Sequence, residues 1–194
     1  LAVFEQIASH YRALGVERVL YKAVPHIFHA YPAEEDLYAL HRLGARLQRR
    51  DLSSAIALRE AFHFTQGRQR AVNKARKAGI GLQTSTDPTD FHALLVDVLC
   101  KHDTVPTHSL AELRLLQARF PQQIVLHEAR REGALLAGVL VYDFGKAVHT
   151  QYMAVSEEGR RLSALSFLLA ELVGGVYAER TYFSFGISTE QEGR

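Results

Sequence analysis

One cysteine, Cys100, in 194 residues leaves no partner for an intrachain disulfide and no ligand set for a cysteine-rich zinc module. That scarcity fits a reducing compartment, so a cytoplasmic location is expected. No apolar run reaches the ~18 residues of a membrane span; the longest candidate, Ala134 to Tyr142, is the size of a strand. No signal-peptide pattern is present. The residues start at Leu1 rather than Met and stop in a polar stretch, Ser188 to Arg194, so both ends are expected to be trimmed. An excess of charge is also missing. Lys and Arg number 23 against 21 Asp and Glu, a net +2, which gives no global argument for nucleic acid or membrane. There is no Gly-x-Ser-x-Gly, no Gly-x-Gly-x-x-Gly and no Walker loop. Gly79 and Gly81 follow a helical pattern instead of preceding one, so they cannot cradle a phosphate at a helix N-terminus.

What remains is a globular composition, 47% hydrophobic and 23% charged, able to bury a core. The charge is locally uneven. Ten basic residues lie between Arg42 and Lys77 against only Asp51 and Glu60, so that stretch is +8 and the remainder −6. Such a block either holds phosphates or forms a solvated helix face. Within it, Gln66 to Ala78 reads as a helix stopped by Gly79. At 100° per residue, Arg70, Lys74 and Lys77 share a stripe beside the small residues Ala71, Ala75 and Ala78. The stripe is expected to contact phosphates of a donor or acceptor, with Lys74 nearest the ligand.

Periodicity predicts the other elements. Helices are expected over Phe4 to Leu14, from Pro32 through Leu47, from Asp87 (as N-cap) to His102, from Ser109 to Phe120, and from Arg160 to Tyr177. Ser109 and Glu112 stand in capping-box register. Strands are expected over Val16 to Val24, Leu52 to Leu58, Ile80 to Thr84, Ile124 to Ala129, Leu135 to Phe144, Ala147 to Val155 and Thr181 to Phe185. The short turns Arg131-Glu132-Gly133 and Phe144-Gly145-Lys146 make 124–155 an antiparallel meander. The chain is therefore of mixed α/β (α+β) class.

Polar side chains stand out on the last meander strand. Simple alternation puts His149, Gln151 and Met153 on one face and Thr150, Tyr152 and Ala154 on the other. They form either a structural hydrogen-bond network or a wall of an acceptor site. In the latter, His149 is the candidate to take a proton from an ammonium, a task that suits histidine as a residue type near neutrality. His102 and His108 flank a loop stiffened by Pro106 and are candidates for binding an acceptor. With His149 they could by type hold zinc, but nothing fixes that geometry and no metal is expected. Ser188, Thr189 and Glu190 follow a strand end, where α/β proteins place ligand loops.

Two helices, a meander, a helix and a strand is the core order of the GNAT acyltransferases. Arg68-Gln69-Arg70-Ala71-Val72-Asn73-Lys74-Ala75-Arg76-Lys77-Ala78-Gly79-Ile80 resembles the Arg-x-x-x-x-Lys-Ala-x-Lys-x-Gly-Ile segment of Fem-type transferases, which are built from GNAT-like halves. Tyr182-Phe183-Ser184-Phe185-Gly186 resembles their strand ending in Asp-Phe-Gly. Pro106-Thr107-His108-Ser109 and His149-Thr150-Gln151-Tyr152 resemble a bacterial, Fem-related branch of the superfamily. The resemblance implies a GNAT-like mixed sheet with a central antiparallel meander in residues 81–194, preceded by a truncated GNAT-like half in residues 1–80. It implies an N-acyltransferase moving an acyl group from a thioester or ester carrier, acyl-CoA first, to an amine such as that of a cell-wall precursor. A charged tRNA as donor, or an inactive ligand-binding module, are the alternatives. In the superfamily the turn after the meander binds the coenzyme A pyrophosphate, which here implicates Ser156, Gly159, Arg160, Arg161 and Ser163, with Ser163 standing where the pattern has glycine. Many GNAT enzymes keep a carboxylate on the first meander strand, which implicates Glu128 as a catalytic base beside His149 and Tyr152. Gln151, Arg70 and Lys74 complete the expected substrate contacts.

Overall fold

The structure is a computed structural model and describes residues 1–187; Ser188, Thr189 and Glu190, named above, lie outside the described residues. Chain contacts define two compact units, Leu1–Leu52 and Ser53 onward.

The first unit contains helices α1 (Ala2–Ala13) and α2 (Glu35–Arg42) and a single 3-10 turn, His26–Phe28. Helix α1 carries the expected apolar spacing. Helix α2 is shorter than its leucine pattern suggests: it starts at Glu35 instead of Pro32 and stops before Gly44, whose φ of +72° ends the helical path. The stretch Val16 to Val24, expected as a strand, joins no ladder among the described residues. A β-prone sequence without a pairing partner has nowhere to place its backbone hydrogen bonds. Instead, the Tyr21 hydroxyl bonds the Asp36 carboxylate at 2.9 Å, and its ring meets Phe4 edge-on.

The second unit is built on one six-stranded mixed sheet. Its strands are β1 (Ser53–Ala57), β2 (Gly81–Ser85), β3 (Ile124–Arg131), β4 (Ala134–Asp143), β5 (Ala147–Val155) and β6 (Tyr182–Ile187), in the spatial order β1-β6-β5-β4-β3-β2. The meander β3-β4-β5 forms as expected, each pair antiparallel. By its contacts the stretch 53–80 belongs to this unit. The reason is pairing and packing: β1 adds to the free edge of β6, and α3 (Gln66–Lys77) lies on α7 (Ala164–Glu171).

Apolar alternation along the strands feeds two cores. On one face α3 and α7 cover Ala129, Ala137, Val139, Val148 and Phe183. On the other, α4 (Thr89–Cys100) and α5 (Leu110–Arg119) cover Leu126, Leu140 and Ala154 around Phe91 and Leu95. The Asp87 carboxylate caps α4 by accepting the Thr89 N–H at 3.2 Å, although Pro88 occupies the formal cap position. The Ser109–Glu112 capping box on α5 is complete in both directions. The long helix expected over Arg160 to Tyr177 is divided. Helix α6 (Glu157–Leu162) ends at Ser163, whose φ of +62° is left-handed; α7 follows and runs into a π turn, Leu172–Val176. Ser163 thus adopts the conformation that glycine takes at no steric cost.

Candidate active site

The local irregularities of β5 build the site. Leu140 pairs with Tyr152 and Val141 with Thr150, so Gln151 is an extra, bulged residue. The bulge resets the alternation. Tyr142 packs on the α4/α5 side and pairs directly with His149; cross-strand partners share a face. Tyr152 packs on that same side. His149 and Tyr152, which simple alternation separates, therefore stand on one face together with Tyr142.

A second irregularity opens the sheet beside them. The parallel pairing of β5 with β6 covers only Ala147 to His149 against Tyr182 to Ser184. Both strands continue, β5 to Val155 and β6 to Ile187, while β6 keeps β1 on its other edge. From Thr150 onward β5 has no ladder partner on that side among the described residues. The strands part in a wedge with His149, Thr150 and Ser184 at its apex, where the Thr150 hydroxyl donates to the Ser184 carbonyl at 3.3 Å.

His149 Nδ1 lies 3.4 Å from Ser184 Oγ, which also accepts the Gly186 N–H at 3.3 Å. Gly186 has φ +80°, and a Cβ there would sit 3.1 Å from His149 Cε1. Glycine therefore serves both the backbone turn and the room for the imidazole. The Tyr152 hydroxyl and His108 Nδ1 share a hydrogen bond of 2.7 Å, with the rings edge-on at 5.8 Å. His108 is held from behind, where His92 Nε2 meets its carbonyl at 3.3 Å. Burial, with the neighbouring Tyr152 adding to it, pushes the Tyr142 phenol above its ordinary proton affinity.

The remaining sequence candidates separate. His102 is exposed after α4, outside this cluster, and Gln151 is half-buried at the bulge. Glu128 is fully buried on β3. Its Oε2 accepts from Arg130 Nε at 2.8 Å and Gln83 Nε2 at 3.0 Å, and Arg130 also reaches Asp90 at 2.7 Å. Its cross-strand partner is Gly138, over which Phe91 lies so closely that a Cβ would fall 2.3 Å from the ring. Glu128 is thus buried beneath α4 with Oε2 paired, while its buried Oε1 has no hydrogen-bond partner among the described residues.

At the wedge's outer end, Ser156 caps α6: its Oγ accepts the Gly159 N–H at 3.0 Å and donates to the Leu136 carbonyl at 3.1 Å. Gly159 is pressed against β4, where a Cβ would meet the Leu136 carbonyl oxygen at 2.1 Å. Lys74 Nζ donates to the Arg161 carbonyl at 2.6 Å, tying α3 to α6. Arg70, Asn73, Lys74 and Lys77 line a shallow hollow of about 400 Å³. Among the described residues no carboxylate pairs with Arg70, Lys74, Lys77, Arg160 or Arg161. Five uncompensated cations mark this side of the sheet. No group of three or more His, Cys, Asp or Glu could hold a metal ion among the described residues, and no helix there is long and apolar enough to cross a membrane.

A further buried pair was not visible in the sequence. His127 lies 2.8 Å from the Tyr177 hydroxyl through Nε2 and 3.4 Å from Thr84 Oγ1 through Nδ1, on the α3/α7 side. Burial lowers the imidazole from 6.5 to about 4 and raises the Tyr177 phenol. Its only sequence signal was the strand position of His127 between Val125 and Ala129, its apolar neighbours on the same face.

Comparison with known proteins agrees with this architecture. The sequence matches the family described as acetyltransferase (GNAT) domain over residues 65–192. No curated protein matches it significantly. Among solved structures, FemX superposes with a TM-score of 0.64 at 12% identity, covering 82% of this chain and 62% of FemX. L-PGS from Bacillus licheniformis gives 0.61 at 14% identity, over 82% of this chain and 53% of that one. The C-terminal domain of a putative lysylphosphatidylglycerol synthetase from Agrobacterium fabrum gives 0.53 at 15%, over 72% and 47%. The chain thus spans between about half and three fifths of these neighbours, which share its fold. With the family match running through α3, the meander, the capped turn and β6, the chain belongs to the family described as acetyltransferase (GNAT) domain.

Proposed function

We propose that the chain transfers an acyl group from a phosphate-bearing thioester, acyl-CoA first, to an amine, at the wedge between β5 and β6. The observation that carries this reading is the juxtaposition of unpaired β5 backbone, His149 and Tyr152 at one opening. The donor's phosphates would lie against Arg160 and Arg161 at the turn from Ser156 to Ser163, with Arg70 and Lys74 beside it. These groups fit a polyanion, since among the described residues no carboxylate pairs with them. The acyl arm would enter the wedge, where β5 N–H groups beyond His149, without a ladder partner among the described residues, can donate to the carbonyl oxygen as it gains charge.

His149 takes the proton that the acceptor's ammonium must lose, and the amine then attacks the carbonyl carbon. The tetrahedral intermediate collapses with cleavage of the C–S bond. The departing thiolate takes a proton from the Tyr152 hydroxyl, which His108 Nδ1 orients; the second proton that the attacking nitrogen sheds as it becomes an amide restores Tyr152, and the one proton on His149 is released to solvent. The products are an amide and a free thiol. In this reading Glu128 is a structural ion-pair partner, and most of the rate comes from positioning.

The Fem-like segment Arg68 to Ile80 supports a second donor, an aminoacylated RNA whose ester would occupy the same wedge. Thermal unfolding separates the two. Acetyl-CoA at about 100 times its dissociation constant stabilises a binding protein by roughly 2.7 kcal/mol. A shift with acetyl-CoA supports the thioester donor. A shift only with aminoacylated RNA supports the ester donor, and no shift with either overturns both.

A further inference from the structure

A hollow of about 270 Å³ opens on the α3/α7 side of the sheet, the face opposite His149 and Tyr152. Its apolar floor is Phe64, Val72 and Ala170, and its rim carries Arg76 and Glu171. The last wall is Gly174-Gly175 in the π turn that follows α7.

Those two glycines have none of the usual structural reasons. Neither takes a positive φ, and a Cβ at either position would meet nothing within 4 Å. Each is a poorer former of a helical segment than alanine. What their lack of side chains does achieve is to leave the hollow open. A π turn is itself rare and is often found at functional positions.

The rim is chemically asymmetric. Arg76 uses Nη2 at 2.7 Å and Nε at 3.3 Å, both on Glu171 Oε1. Arg76 Nη1 and Glu171 Oε2 make no hydrogen bond among the described residues, and the Arg76 side chain is 54% exposed. One edge of the hollow therefore presents a cationic donor and an anionic acceptor side by side, above an apolar floor.

We infer that this hollow binds a small apolar α-amino acid as its zwitterion. The ligand carboxylate accepts from Arg76 Nη1, its ammonium donates to Glu171 Oε2, and its side chain rests on Phe64, Val72 and Ala170. The volume lies just below the range of cavities for drug-sized ligands, which suits a single amino acid. Because the site lies on the other sheet face, it does not depend on the acyl-transfer reading.

Calorimetric titration of the whole chain with L-leucine tests this. Saturable binding is expected. N-acetyl-leucine, which lacks the ammonium, and leucinamide, which lacks the carboxylate, should each bind at least about tenfold more weakly, since each loses one charged hydrogen bond. Arg76→Gln and Glu171→Gln should have the same effect. Gly174→Leu and Gly175→Leu should abolish binding while leaving the unfolding midpoint unchanged or higher, which separates a filled hollow from a damaged fold. Absence of leucine binding to the unaltered chain overturns the inference, as does binding that survives Gly175→Leu or is indifferent to either cap.

Discussion

Acidification tests the buried pair His127 and Tyr177 quantitatively. His127 is 3% exposed, and its hydrogen-bond partners are the Tyr177 and Thr84 hydroxyls rather than a carboxylate. Its folded proton affinity of about 4, against an ordinary 6.5, means the fold favours the neutral ring. In the window between these values the unfolded chain carries a proton on His127 that the folded chain refuses. Stability therefore rises with pH across the window; the contribution is full above pH 6.5 and is lost as pH falls to 4. At ~1.4 kcal/mol per pH unit, the amplitude is about 3 kcal/mol. Urea midpoints measured at steps between pH 4 and pH 7.5, for the unaltered chain and for His127→Gln, isolate this term from the other titrating groups. The difference between the two curves should slope upward through the window and flatten above it. A flat difference, or a His127 ring proton that titrates near 6.5 by NMR, would refute the burial argument.

Three further outcomes follow from the site's backbone. Ser163→Gly should raise stability by about 1 kcal/mol in chemical denaturation, because a non-glycine residue in the left-handed region costs roughly that much and Ser163 sits at φ +62°. Gly159→Ala should cost more than about 3 kcal/mol, the range of severe steric lesions, since its methyl would land 2.1 Å from a backbone oxygen that cannot move aside; a soluble variant with an unchanged midpoint would contradict the packing of α6 on β4. Ser109→Ala should lower the midpoint by about 1 kcal/mol through loss of the α5 cap, and an unchanged midpoint would show that the capping box contributes nothing.

Much of the architecture could be read from residue order, and the failures have physical causes. The meander was legible because its turns hold Gly133 and Gly145, both at positive φ, between long apolar strands. The start of α5 was legible because capping is local chemistry between Ser109 and Glu112. Val16 to Val24 misled because β-propensity describes a surface that fits a sheet and cannot supply the neighbouring strand. The break at Ser163 was hidden because serine carries no signal for a left-handed conformation. The same local ambiguity hid the bulge at Gln151, and with it the fact that His149 and Tyr152 share a face. Glu128 reads as a catalytic candidate from its strand position, and Arg130 stands two residues on, along the same strand. That spacing puts opposite charges on one face, the sequence cue for their ion pair. The wedge between β5 and β6 is a tertiary feature: it depends on β1 holding β6 from its other edge, which no local pattern in either strand announces.

The acyl-transfer account is tested most directly by incubating the protein with acetyl-CoA and a panel of primary amines and detecting the acetylated amine and the free thiol by mass spectrometry. The account predicts stoichiometric amide and thiol from at least one amine, with His149→Gln slowing transfer by about a hundredfold or more, as loss of a positioned base does, while acetyl-CoA still binds. Transfer that proceeds at an undiminished rate in His149→Gln, or transfer from an aminoacylated RNA alone with acetyl-CoA inert, would contradict it.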